Sequence, residues 1–378
     1  MENSEQVRFF ETKSYEIELK QAALVAVKDV LKVKTGERVL IITNPHQDGQ
    51  SISQALYDAS LDAGAAPVLI TQKVRTQLDF AEDAVIKALE SEPEVAISIS
   101  KEKLGKDRKG LKNPYELNGA RYEHIFNYLM AAGKMRSFWS PGVTAHMFAK
   151  TVPINYSWMQ VMCSKLAEVL DHAEAARIKS PAGTDLTVGL KGRKAYKDDG
   201  DFSKPGAGGN LPAGEVYISP VVGSCSGKIV FDGSISANMG DIIIDHPITV
   251  VIESGYITRI DGKEEAGRLK ETIREAEEKI NKMKEEGKIS GETANQYLKN
   301  LYHIGEFGIG MNKHAQITGN MLEDEKVYST CHFAIGSNYD EDANTLIHLD
   351  GLVKYPTIEV YQEDKDRLMV MEKGILLL

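Results

Sequence analysis

Four short segments in the second half of the chain set acids, imidazoles and a phenol among small residues. In Asn210-Leu211-Pro212-Ala213-Gly214-Glu215-Val216-Tyr217-Ile218-Ser219-Pro220, a β-rich run opens on Glu215 and lies between prolines. Alternation places Glu215 and Tyr217 on one face and Val216 and Ile218 on the other. Glu306 lies in Ile304-Gly305-Glu306-Phe307-Gly308-Ile309-Gly310, where glycines and apolar neighbours argue against a solvated surface acid, and a buried carboxylate needs a cation. His332 lies in Thr330-Cys331-His332-Phe333-Ala334-Ile335-Gly336-Ser337-Asn338-Tyr339, with small Ala334 on its own strand face and Tyr339 following. In Ile347-His348-Leu349-Asp350-Gly351 an imidazole and a carboxylate point to the same side of a strand, a chelating arrangement.

Taken singly, each has an ordinary explanation: a surface glutamate, a hydrogen-bonded core histidine, a chance His-x-Asp. The set carries the argument. Two glutamates, two histidines and one aspartate are the ligands that a pair of divalent cations needs, with three carboxylates balancing most of the metal charge. Candidate ligands are therefore Glu215, Glu306, His332, His348 and Asp350.

The elements that must position these residues divide in two. Apolar residues at helical spacing from Glu18 to Val33 lead through Lys34-Thr35-Gly36-Glu37 into the run Arg38 to Thr43. A helix follows, with Ser51 as candidate N-cap and Gly64 as stop, and then the strand Ala66-Pro67-Val68-Leu69-Ile70-Thr71. A strand at Val95–Ile99, a helix at Tyr122–Ala132, a strand near Phe138 and a helix at Trp158–Ala176 continue the alternation, which predicts a Rossmann-like parallel sheet. The first turn, Thr43-Asn44-Pro45-His46-Gln47-Asp48-Gly49, has neither a dinucleotide loop nor a phosphate loop, and His46 and Asp48 read as turn chemistry.

From Ser180 onward the signals are short β-rich runs: Leu186–Leu190, Val216–Ile218, Lys228–Phe231, Asp241–Ile244, Thr249–Ile252 and Tyr256–Ile260. Lys263–Lys288 interrupts them with 16 charged residues of 26 and an apolar stripe at Leu269, Ile273, Ala276, Ile280 and Met283, an amphipathic helix pairing with Ser290–Tyr302. Gly206-Ala207-Gly208-Gly209 reads as a loop. The expected organisation is α/β: a Rossmann-like domain over 1–178 and a mostly β, metal-binding domain over 179–378, with a helical hairpin inserted at 263–302.

A net charge of −10 without a long basic block argues against nucleic acid, leaving peptides or small molecules as partners. Three widely spaced cysteines, Cys163, Cys225 and Cys331, indicate neither a disulfide framework nor a zinc ribbon and suit a reducing cytoplasm. Met1-Glu2-Asn3-Ser4-Glu5-Gln6-Val7-Arg8-Phe9-Phe10 lacks the pattern of a signal peptide, and no apolar run approaches membrane-spanning length. A cytoplasmic protein is expected.

The same segments resemble the signature of the aminopeptidase T and aminopeptidase S family, leucyl aminopeptidase-like metallopeptidases with two catalytic metals. The resemblance also takes in Thr35-Gly36-Glu37-Arg38-Val39-Leu40-Ile41 and Gly183-Thr184-Asp185-Leu186. It implies a metal pair, zinc, cobalt or manganese, held by Glu215, Glu306, His332, His348 and Asp350. Tyr339 falls at the family's active-site tyrosine, and the resemblance implies a cytoplasmic homodimer that removes N-terminal residues from peptides. Tyr339, Glu215 and Glu306 are then the catalytic candidates, with the proton shuttle open between the two glutamates. The chain departs from the family in having Gly214 beside Glu215 where two acids are common. Its tract between Glu215 and Glu306 is longer than in typical members, and that from Tyr339 to His348 shorter. More distantly, the fold resembles 2,5-dihydroxypyridine dioxygenases, which bind one ferrous ion through two histidines and an aspartate. His332, His348 and Asp350 would make that facial triad, whereas Glu215 and Glu306 favour the hydrolase. A metal-binding protein without turnover is the third reading.

Overall fold

Arg38–Thr43, the most continuously apolar strand of the first half, lies between Ala66–Thr71 and Val95–Ile99 and pairs with both in parallel. This is what burial on both faces of a helix-covered sheet requires. The computed structural model describes residues 16–76, 78–363 and 365–378; the N-terminal decapeptide lies outside them. The chain forms two compact units. One comprises the residues up to Tyr156 together with Gly200–Ala213; the other comprises Ser157–Asp199 and Gly214–Leu378. The division falls earlier than the expected cut after residue 178 and includes a return segment that sequence periodicity did not reveal.

The first unit is the expected α/β layer. Its five-stranded parallel sheet runs in the order Gly208–Asn210, Arg136–Trp139, Val95–Ile99, Arg38–Thr43, Ala66–Thr71. Three local expectations are corrected. The helix after the first strand begins at Gln47 rather than near Ser51, because the His46 imidazole caps it by accepting from Gly49 N at 3.2 Å. Part of the glycine cluster read as a loop is a strand, Gly208–Asn210, paired with Ser137–Trp139; without side chains it has no periodicity to read. The helix expected over Tyr122–Ala132 is confined to Ile125–Ala131, with Tyr122 in a hairpin strand.

The second unit is built on two antiparallel sheets. An eight-stranded sheet contains Tyr256–Asp261, Ile248–Glu253, Ser226–Phe231, Asp185–Gly189, Ala173–Lys179, Thr357–Gln362, Lys365–Glu372 and Ile375–Leu376. The helix expected to reach Ala176 stops at Asp171, because Ala173–Lys179 pairs on both edges, and tertiary ladders outweigh the helix propensity of its alanines. A seven-stranded sheet runs Ile242–Ile243, Ser234–Ile235, His348–Lys354, Thr330–Gly336, Ile304–Gly310, Glu215–Ile218, Ala195–Asp198.

The two sheets pack face to face. Phe231 lies so close to Gly351 that a Cβ there would meet its ring at 2.6 Å. On the core face of the seven-stranded sheet, Phe307 and Phe333 stack with centroids 5.3 Å apart. The helical hairpin is present as Glu264–Glu285 and Gly291–Asn300, with Leu269, Ile273, Ala276 and Ile280 buried as its stripe requires. All three cysteines are buried and unpaired. Among the described residues no helix is long and apolar enough to cross a membrane.

Candidate metal centre

The face of the seven-stranded sheet opposite Phe307 and Phe333 carries the candidate ligands, and strand register decides which residues meet. Tyr217 pairs with Gly308 and Gly308 with His332; Glu306 pairs with Ala334 and Ala334 with Asp350; Gly336 pairs with His348. Small residues thus separate the functional ones along each row. The imidazole of His332 lies over the bare backbone of Gly308, where a Cβ would fall 2.0 Å from Nε2. Ala334 leaves the corresponding room between Glu306 and Asp350.

All five candidate ligands come together. His332 Nε2 lies 3.0 Å from Glu306 Oε1 and 3.4 Å from Glu215 Oε2. His348 Nε2 lies 3.1 Å from Glu306 Oε2 and 3.4 Å from Asp350 Oδ1. Among the described residues, two groups have ligand atoms mutually within 4.8 Å, Glu215–Glu306–His332 and Glu306–His348–Asp350. Glu306 belongs to both, one oxygen turned to each histidine. His332, His348 and Asp350 do not form such a group by themselves.

The donor atoms fit divalent cations. His348 Nδ1 lies 2.9 Å from the Ser337 carbonyl, which can only accept, so the ring donates from Nδ1 and, when neutral, points the Nε2 lone pair at Glu306 and Asp350. Glu215 Oε2, Glu306 Oε2 and Asp350 Oδ1 are buried without hydrogen-bond partners, and buried oxygens of this kind call for a cation.

Lys326, Asp198 and Glu325 complete the electrostatics, and sequence reading missed all three. Lys326 is fully buried, with Nζ 2.6 Å from Glu215 Oε1, 2.7 Å from Glu325 Oε1 and 3.3 Å from Asp198 Oδ2. In the sequence it ends Glu323-Asp324-Glu325-Lys326, which reads as a solvated charge run, and Asp198-Asp199-Gly200 reads as a turn. Burial pushes Asp198 up to about 6 despite the opposing Lys326 charge, and raises Glu215 as well. Burial would also raise Glu306, but the hydrogen bond between its Oε1 and His332 and the facing imidazole of His348 hold it below its ordinary value. With all five carboxylates ionised and both imidazoles neutral, as metal ligands must be, five carboxylates against one ammonium would leave four negative charges, the charge of two divalent cations.

Tyr339 stands at the mouth, 52% exposed, its ring 5.2 Å edge-on from that of His348 and 5.0 Å from Tyr217, which stacks on Tyr196. His46 and Asp48, left out of the site on sequence grounds, belong to the first unit, where His46 is a helix cap.

Comparison with known proteins identifies relatives of the whole fold and of the stretch that holds these residues. A family model described as 2,5-dihydroxypyridine 5,6-dioxygenase matches residues 144–364, more than half of the chain and the stretch containing every candidate ligand. A curated protein of that name from Pseudomonas putida is 24% identical over 238 residues, 58% of this chain and 59% of its own length. The solved structure of 2,5-dihydroxypyridine dioxygenase from Pseudomonas putida aligns with a TM-score of 0.69 at 19% identity, covering 95% of this chain and 96% of that one. Wild-type AmpT from Thermus thermophilus aligns with a TM-score of 0.62 at 16% identity, covering 96% and 99%. At these identities the structural likenesses establish a shared fold.

Proposed function

The chain belongs to the 2,5-dihydroxypyridine 5,6-dioxygenase family, and on the donor arrangement it carries within that fold we propose that it is a hydrolase using two divalent cations, an aminopeptidase acting on the N-terminal residues of peptides. The observation that carries this reading is the division of Glu306, Oε1 toward His332 and Oε2 toward His348. A carboxylate that faces two ligand groups at once is suited to bridging a metal pair, and the four uncompensated charges agree with that count. The fold is shared with AmpT as well as with the dioxygenase.

Cations bound there would supply Lewis acidity toward a carbonyl oxygen and lower the pKa of bound water. The protein's own groups hold the geometry. Lys326 engages Glu215 Oε1, so Glu215 presents Oε2 alone, while Glu306 presents both oxygens. The Ser337 carbonyl fixes the His348 ring with Nε2 inward. Tyr339 offers a half-exposed phenol, which partial desolvation and the charges of Glu306 and Asp350 keep protonated and able to donate to a developing oxyanion.

A second reading, a mononuclear ferrous ring-cleaving dioxygenase, is favoured by the family description itself and by the His348-x-Asp350 pair. One experiment separates the two. Metal content per chain is measured on protein purified without chelator, beside His348→Ala, and followed by peptide hydrolysis under anaerobic conditions. Two divalent ions per chain, lost in the variant, with amino acid released without oxygen, support the hydrolase. A single iron with oxygen-dependent turnover of a dihydroxypyridine overturns it.

A further inference from the structure

The first unit contains a cavity of about 420 Å³ that lies entirely within it and takes no part in the metal centre, a volume in the range of small-molecule sites. It opens beyond the carboxyl ends of Val95–Ile99 and Arg136–Trp139. Strand order reverses beside it: from Arg38–Thr43 the chain moves to Ala66–Thr71 on one side and then crosses to Val95–Ile99 on the other. The reversal lies between Arg38–Thr43 and Val95–Ile99, one strand over from the cavity, which opens where open parallel sheets bind ligands, beyond the carboxyl ends of the strands.

The lining specifies a chemistry. Phe126 and Trp139 form an aromatic corner, with centroids 5.8 Å apart and planes at 82°. Ser98 and Ser100 are buried, and their hydroxyls lie 2.8 Å apart. One O–H is used between them, leaving the pair a further proton to donate. His124 accepts from Phe126 N at Nδ1 and donates from Nε2 to the Gly105 carbonyl, so it stands neutral and contributes a ring rather than a charge. Lys103, Lys106 and Glu102 also line the cavity; among the described residues neither lysine forms a salt bridge, and the Lys106 ammonium lies 5.0 Å from the centroid of the Phe80 ring.

The segment that supplies them, Lys101–Lys112, holds six basic and two acidic residues in a chain of net charge −10. One of those acids, Asp107, is used internally, accepting from the backbone of Lys109 and Gly110. A basic mouth on an acidic protein raises the local concentration of anions.

From this geometry we infer a binding site for a single-ring aromatic carboxylate, its ring in the Phe126–Trp139 corner, its carboxylate received by Lys103, Lys106 and the Ser98–Ser100 pair. The inference is independent of the reaction at the metal centre.

The test uses the full chain carrying Trp158→Phe, which leaves Trp139 as the one tryptophan, since the chain has two. Its fluorescence is titrated with benzoate, cyclohexanecarboxylate and adenosine monophosphate, with and without EDTA, and calorimetry on the unsubstituted chain checks the result. Expected are saturable benzoate binding unaffected by EDTA, weaker binding of the non-planar acid, and at least a tenfold loss of benzoate affinity in Lys103→Gln/Lys106→Gln. Both lysines lie toward the surface, so that variant should fold. Absence of saturation, binding that EDTA abolishes, equal affinity in the charge variant, or binding of the nucleotide alone would each overturn the site.

Discussion

His332 owes its position to Gly308. The two pair across neighbouring strands, and the imidazole fills the space that any side chain at 308 would take, with Nε2 only 2.0 Å from where a Cβ would stand. That vacancy lets Nε2 reach both Glu306 and Glu215.

Gly308→Ala is therefore expected to displace the imidazole and to lower metal occupancy. The overpacking itself costs about 1–3 kcal/mol of stability. Metal analysis and denaturant unfolding measure the two effects separately, and full occupancy in the variant would show that the ring has another way to reach its partners.

Lys326 balances three carboxylates, Asp198 and Glu215 buried and Glu325 partly so, and removing one partner of a buried charge cluster leaves the others uncompensated. Lys326→Met should cost about 3–5 kcal/mol in chemical denaturation. Adding Glu215→Gln should restore part of that loss, because one of the unpaired charges is then gone. Simple additivity of the two substitutions would count against the coupling.

Metal loading should depend on pH. Burial disfavours the charged form of His332, but the hydrogen bond to Glu306 and the charges of Glu215 and Asp350 outweigh it and push the ring up to about 9 in the metal-free site. His348 is raised for similar reasons, chiefly by Asp350. Because a cation must displace these protons, apparent affinity should fall as pH is lowered from 8 to 6, by about tenfold per pH unit for each proton released. Titrations in buffers of different ionisation enthalpy would count those protons, and a flat profile would contradict the proposed ligands.

In the first unit, Arg136 is buried and donates to both oxygens of Glu37 and to the Leu31 carbonyl. Burial tends to raise Glu37, but Arg136 and the Lys34 N–H together hold it below its ordinary value of 4.5. A depressed folded-state value means that the stabilisation is present above pH 4.5 and is lost as pH falls through the lower folded value. Glu37→Gln should destabilise the chain at neutral pH and flatten the acid limb of its unfolding curve. Unchanged pH dependence would remove this pair from the account.

The strand runs Arg38–Thr43 and Val95–Ile99, the amphipathic stripe of the helical hairpin and the five candidate ligands were all readable in the sequence. Each is written in local periodicity or in an unusual residue among small neighbours. Gly208–Asn210 as a strand, the stop at Asp171 and the return of Gly200–Ala213 to the first unit were not, because pairing partners distant in sequence decide them. The same holds at the metal centre. Sequence supplied Glu215, Glu306, His332, His348 and Asp350 as a set, since alternation fixes which face of its own strand each occupies. Only the register among strands could turn the two oxygens of Glu306 toward different histidines, bring Lys326 from a charged run into contact with Glu215, and set His332 over Gly308. Residue spacing along one strand is a local property, whereas the distance between strands follows from how the whole sheet pairs.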